Sequence, residues 1–330
     1  MILRTLASLA LAAVSATAFA QFPAYDAAPR IGVLIPKGPP EYSQWYTALK
    51  DRKDVVDGPF QYNSGTIAGV PVVLYLQPTD GVLARALGEF SMIRDFNVKT
   101  VIYAGTSGGH LPKGQMGVGD IVLGAQNVNH GAYHLLADGT IDPGTFNSMQ
   151  KDMLHFDGLY ADPKMLQLLA CSAKRVADTT KLPAFSEPVR RDTTPQVFYF
   201  GIQGTSTIWS DNKAYTEATM KVFHEIDEDG DWASNLAATL YKVPFIEVSV
   251  ISNSIYAYPT ADHGTPKAPK GEANSHLLAQ RISNRVALDL IEHDGQRLLT
   301  GTWTEPTTSP FPESFYNDPL NPQALLKDCK

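Results

Sequence analysis

Cysteine is scarce: Cys171 and Cys329 are the only two in 330 residues, which excludes a disulfide-dense scaffold and a cysteine-rich metal site. Neither H-E-x-x-H nor C-x-x-C occurs, and His130 and His134 flank Gly131 in a segment read as a loop, so no metal site is expected. Also missing are G-x-x-x-x-G-K-[ST] and G-x-G-x-x-G, the backbone cradles of nucleoside triphosphates and dinucleotides. No cofactor is expected. Basic charge is in deficit, with 27 Lys and Arg against 34 Asp and Glu, a balance unsuited to a nucleic-acid backbone or an anionic membrane as partner. Long apolar runs are absent too, since Leu6 to Val14 is too short to span a bilayer.

What is present begins with a targeting segment. Residues 1–20 carry Arg4, then the short apolar run, then Ala18-Phe19-Ala20, which has the A-x-A form of a cleavage site. The expectation is an exported protein, periplasmic or secreted, made of residues 21–330. In an oxidising compartment Cys171 and Cys329 could pair and pin the C-terminal tail; alternatively Cys171, inside LQLLACSA, is a plain core residue.

Along the chain, strands and helices alternate. Ile31 to Ile35, Thr100 to Ala104, Ile121 to Leu123, Val197 to Gly201 and Pro244 to Ile251 read as strands, and Thr66 to Leu76, split by Gly69, as a hairpin. Val82 to Phe96, Pro163 to Val176, Asn212 to Phe223, Trp232 to Tyr241 and His276 to His293 read as helices. That alternation predicts an α/β class with a largely parallel or mixed central sheet. Gly124 to Tyr160 and Pro259 to Asn274 are expected to be long loops, and loops of that length are commonly functional.

The most informative stretch is VIYAGTSGGHLPKGQMGVGDIVL, from Val101 to Leu123. Gly105-Thr106-Ser107-Gly108-Gly109 fits the G-x-S-x-G of a serine nucleophile elbow, but an elbow needs a helix straight after the serine. Pro112, Gly114, Gly117 and Gly119 forbid one. The expectation is instead a ligand-facing glycine turn between two strands. Asp227 to Asp231 looks like a calcium loop, yet Trp232 and Ala238 stand where such a loop needs glycine and a carboxylate, so Asp231 is read as a cap of the helix that follows. Glu41, Thr106, Ser107, Asn253 and Trp209 all lie just past strand ends, where open α/β sheets build ligand sites.

Taken in order, IGVLIPKGPPE, GTIAGVPVVLYL, AGTSGGHLPKGQMGVGDIVL, GTSTIWSDNKAYTEATMKVF and VPFIEVSVISN resemble the nucleoside phosphorylase and methylthioadenosine/S-adenosylhomocysteine nucleosidase superfamily, in particular an exported branch that includes plant bark storage proteins. The resemblance, from about Ile31 to Ile291, implies a single three-layer α/β/α domain around a mixed sheet, with active sites near the subunit contacts of a homodimer or homotrimer. It implies that Thr106, Ser107 and Gly108 line sugar and base, that Trp209 stacks on the purine, and that Glu41 polarises the attacking water. It makes Asp231 or Asp229 the stand-in for the glutamate that holds the ribose hydroxyls.

Departures from the family pattern bear on activity. Ser252-Asn253 replaces the family's Ser-Asp, whose aspartate protonates the leaving purine at N7; asparagine can donate a hydrogen bond there but no proton. The family's Gly-Ile-Gly-Lys reads Gly81-Val82-Leu83-Ala84, and no arginine stands ready to clamp phosphate. The resemblance therefore implies hydrolysis of a purine nucleoside by water. A catalytically degraded nucleoside-binding or storage protein is the alternative, and phosphorolysis the third reading.

Overall fold

The computed structural model describes residues 28–36, 42–77, 81–112, 114–142, 158–183, 193–208, 210, 212–228, 232–256, 270–304, 306, 308–322, 325–327 and 329. The expected targeting segment and the candidate residues Glu41, Trp209, Asp229 and Asp231 lie outside the described residues.

The chain runs β1 (Arg30–Pro36), α1 (Tyr42–Ala48), β2 (Lys50–Asp57), β3 (Phe60–Ile67), β4 (Val70–Gln77), α2 (Val82–Asp95), β5 (Val98–Gly109), β6 (Ile121–Asn129), β7 (His134–Leu135), β8 (Ile141–Asp142), β9 (Gly158–Tyr160), α3 (Pro163–Thr179), β10 (Val197–Thr205), α4 (Lys213–Phe223), β11 (Asp227–Glu228), α5 (Trp232–Leu240), β12 (Phe245–Ser254), α6 (Lys270–Thr300) and α7 (Glu313–Asn317). Among the described residues a ten-stranded sheet has the order β11-β10-β6-β12-β5-β1-β4-β3-β2, with β9 beside β6. It is mixed. β1 is parallel to β4 and β5, and β5 to β12, whereas β12–β6, β2–β3 and β3–β4 are antiparallel.

Side chains alternate across a strand, so each central strand feeds two cores. Ile31, Val33 and Ile35 of β1 join Val72, Leu74, Ile102, Ala104, Val248 and Val250 against α3 and α6. Leu34 joins Val73, Val101 and Tyr103 on the opposite face, against Met92 and Ile93 of α2 and Ala238 of α5. Three α/β/α layers result, with each fully buried aliphatic side chain contributing about 1.5–3 kcal/mol. The β3–β4 hairpin turns at Ala68 and Gly69, both with positive φ (49° and 78°), as a two-residue type I′ turn requires.

Asp162 caps α3 by accepting from Lys164 N and Met165 N at 2.8 and 3.1 Å, with Pro163 following it. Its other oxygen accepts from Thr304 N at 2.7 Å, tying the helix start to the tail. Farther along α3, Cys171 is disulfide-bonded to Cys329, with Cα atoms 5.3 Å apart. Among the described residues no helix is long and apolar enough to cross a membrane.

Several elements differ from expectation. β6 continues to Asn129 and β7 to β9 follow, so the stretch from Gly124 to Tyr160 is not one loop. α6 begins at Lys270, inside the expected second loop. β2 has no apolar alternation because it is a sheet edge whose Lys50 to Asp54 are exposed, and α1 buries only Trp45.

Candidate functional site

The expected glycine turn at Gly105 to Gly109 is corrected by the structure: these residues are the last five of β5. Gly105, Gly108 and Gly109 have no positive φ, so they are not there to turn the chain. They make room. A Cβ would sit 2.4 Å from the Tyr103 ring at Gly105, 2.8 Å from Met116 Sδ at Gly109, and 3.4 Å from Asn253 Nδ2 at Gly108. The turn lies beyond, with Gly114 and Gly119 at φ 89° and 91°. Asp120 fixes it by accepting from Gly117 N at 2.8 Å and from Gln196 N at 2.7 Å.

β5 and β12 run parallel, and Asn253 stands opposite Gly108 across a register irregularity between Ile251 and Asn253. Such bulges re-aim side chains at strand ends. Ser252 Oγ lies 2.8 Å from Asn253 Oδ1 and 3.2 Å from the Ser107 carbonyl. With Oδ1 met by that hydroxyl, the donor edge, Nδ2, is the one beside Gly108. Thr106 Oγ1, two residues before Gly108 and on the same face of β5, lies 3.4 Å from His276 Nδ1 on α6. The fold thus gathers Thr106, Gly108 and Asn253 at the carboxyl ends of adjacent parallel strands. Ser107 points to the other face, where its hydroxyl donates to Asp227 Oδ2 at 2.7 Å.

β11 brings acid to this edge. It pairs with β10 on one side and, antiparallel, with Gly108 and Gly109 on the other. Burial pushes the Asp227 carboxyl up to about 6, against the opposing hydrogen bonds from Ser107 and Gln203. Glu225 is likewise raised by burial, although Thr219 Oγ1 donates to it at 2.7 Å. Glu228 feels burial as well, but contacts with His110 and His130 win and hold it down to about 2. Trp232 N, at the start of α5, donates to Thr205 Oγ1 at 3.0 Å, fixing that helix to the end of β10.

Sequence reasoning missed His110, Glu225, Asp227, Glu228 and His276 as a neighbourhood, and weighed His130 only as a metal ligand. Their positions in the chain share no motif. The one available signal was polar residues set against apolar strand ends, as in Glu225-Ile226-Asp227. Among the described residues no group of three or more His, Cys, Asp or Glu is arranged to hold a metal ion.

Residues 33–186 match the model of the phosphorylase superfamily. Solved structures agree on the fold. The chain superposes on the 5′-methylthioadenosine/S-adenosylhomocysteine nucleosidase of Neisseria meningitidis, in complex with methylthio-immucillin-A, with a TM-score of 0.55 and 20% identity over 80% of this chain and 99% of that one. The corresponding nucleosidase of Colwellia psychrerythraea 34H, in complex with adenine, gives 0.59 and 18% over 83% and 98%. Native futalosine hydrolase of Helicobacter pylori strain 26695 gives 0.57 and 15% over 80% and 97%. Among curated proteins no sequence matches.

Proposed function

We propose that this chain is an exported nucleosidase of the phosphorylase superfamily that hydrolyses the N-glycosidic bond of a purine or purine-like nucleoside to free base and sugar. The observation that carries this reading is the meeting of Thr106, Gly108 and Asn253 at the ends of β5 and β12. It is made on a fold shared with nucleosidases and a futalosine hydrolase. As the bond breaks, the purine gathers negative charge and the sugar positive charge, so a donor aimed at the base is the first requirement. Asn253 Nδ2 supplies that donor. In this reading Glu41 activates the water, Trp209 stacks on the base, Thr106 and Gly108 line sugar and base while Ser107, its hydroxyl committed to Asp227 on the other face, contributes only backbone there, and Asp229 or Asp231 holds the ribose. No cofactor or metal takes part.

The segment 1–20 and the Cys171–Cys329 bond support a periplasmic or secreted location. A homodimer or homotrimer is supported by an exposed apolar stripe on α2, Leu83, Leu87 and Phe90 at i, i+4 and i+7, continued by Leu240 and Tyr241 beside it. One observation favours a nucleoside-binding or storage protein instead: the group at the base is an amide that cannot protonate it.

Incubation of the mature protein with inosine, guanosine, adenosine, methylthioadenosine and S-adenosylhomocysteine, with and without phosphate, separates the readings by chromatography of the bases. Release without phosphate is expected. Release only with phosphate means phosphorolysis, and thermal stabilisation by a nucleoside without release means a binder.

A further inference from the structure

Two histidines and two glutamates close a ring around β11. Glu225 Oε1 lies 3.8 Å from His110 Nδ1 and 3.8 Å from His130 Nδ1. Glu228 lies 3.6 Å from His110 Nε2 and 3.5 Å from His130 Nε2. Each imidazole therefore faces a carboxylate with both of its nitrogens. A neutral imidazole has one N–H and one lone pair, so it must meet one of its two carboxylates lone pair to lone pair; only the imidazolium can donate at both edges. Burial sharpens the choice, since side-chain exposure is 5% for His110, 2% for His130, 0% for Glu225 and 20% for Glu228. At these distances His110 Nδ1, both His130 nitrogens and Glu225 Oε2 have no hydrogen-bond partner among the described residues.

The ring joins separate parts of the chain. His110 follows β5, His130 follows β6, Glu225 precedes β11 and Glu228 ends it. We propose that His110 and His130 are positioning residues that work as a protonated pair, holding Glu225 and Glu228, and with them β11, against the ends of β5 and β6. Because β11 pairs with Gly108 and Gly109, the clamp keeps the β5 end in place beside Asn253. Its effect on ligand handling rests on the nucleosidase reading; the clamp itself does not.

Charge bookkeeping gives the pH sense. Two imidazoliums against two carboxylates leave the ring neutral, and each proton lost leaves one uncompensated buried negative charge. Among the described residues the other groups facing the ring add no compensating cation: Asp227 from β11 is a further acid, and Tyr215 from α4, bonded to Tyr133 after β6, is a phenol that burial pushes above its ordinary value. Among the described residues the only ion-pair partners of Glu225 and Glu228 are these two imidazoles. The clamp is thus tight at low pH and loosens as pH rises and the ring gives up its protons.

The test compares wild type with His130→Gln by thermal unfolding between about pH 5.5 and 8.5, the range in which histidine charge changes. Wild type is expected to melt about 5 °C above the variant at the acid end, with the gap closing to about 1 °C at the alkaline end. A gap independent of pH overturns the proposal. Imidazole 15N NMR of wild type decides the matter even if the variant does not fold. Two protonated nitrogens on each of the two rings at about pH 5.5, lost over the range in which the gap closes, are expected. One protonated nitrogen per ring throughout overturns it. For base release, His130→Gln is expected to raise KM about tenfold at the acid end with kcat within about twofold; a loss confined to kcat and flat with pH overturns the positioning role. Should wild type release no base, the nucleosidase reading fails while melting and NMR still judge the clamp.

Discussion

Asp227 is a carboxyl fully buried from solvent, and that sets its pH behaviour. Its folded value of about 6 lies above the ordinary aspartate value of about 3.9. A raised acid contributes its stability fully below about pH 4 and loses it as pH rises through about 6. Asp227→Asn keeps an acceptor for Ser107 and removes the buried charge. It is expected to be about 2–3 kcal/mol more stable than wild type at pH 7–8 and equal to it near pH 4, measured by urea unfolding. Asn253 gives the second residue-scale prediction. Asn253→Asp restores a proton donor beside the base, so base release is expected to rise about 100-fold at mildly acidic pH and to fall as the new carboxyl ionises. A flat profile would place the amide away from the leaving group. Thr106, Gly108 and Asn253 were legible in the sequence because each sits at the end of an apolar strand. The ring of His110, His130, Glu225 and Glu228 was not, because only the pairing of β11 with β5 and β10 brings its members together.

At the scale of elements, the apolar strands β1, β4 and β12 were readable since burial on both faces leaves little but branched side chains in them. β2 hid behind its charged edge residues, and the second half of β5 behind glycines that signal a turn but serve close packing. Gly88 in α2 is a similar case. Helix propensity alone says that Gly88→Ala should stabilise by about 1 kcal/mol. The new Cβ would lie 1.9 Å from the Tyr75 hydroxyl, which donates to the Ala84 carbonyl, while Tyr62 donates to the Gly88 carbonyl at 2.8 Å. Overpacking prevails, and Gly88→Ala is expected to lose about 1–3 kcal/mol in chemical unfolding, with Tyr75→Phe restoring part of it. An increase in stability would show that α2 slides freely over β4.

Across the whole molecule, one bond ties the two ends of the fold's second half. The Cys171–Cys329 link spans 158 residues, and the chain-entropy view assigns such a loop about 5 kcal/mol. Cys329→Ser, or reduction of the wild type, is expected to lower the unfolding midpoint correspondingly and to loosen the tail where Phe311 and Phe315 pack on Phe200, at ring separations of 5.1 and 4.9 Å. An unchanged midpoint with and without reductant would mean that packing alone secures the tail.

The two residues of β11 are bonded to β10 on one side and to β5 on the other, so β5, β12, β6, β10 and β11 form a closed hoop whose narrowest link is two residues long. A hoop opens at its shortest seam. In deuterated water the amides of Gly108, Gly109, Gln203 and Gly204, although only Gly108 among these residues is partly exposed, should exchange before those of β1 and β4. The same seam is the last to be sewn during folding, since both strands that flank it must already be in place. The cluster of Thr106, Gly108 and Asn253 is therefore expected to come into being only when the rest of the sheet is finished, so that a partly folded chain has the scaffold without the site.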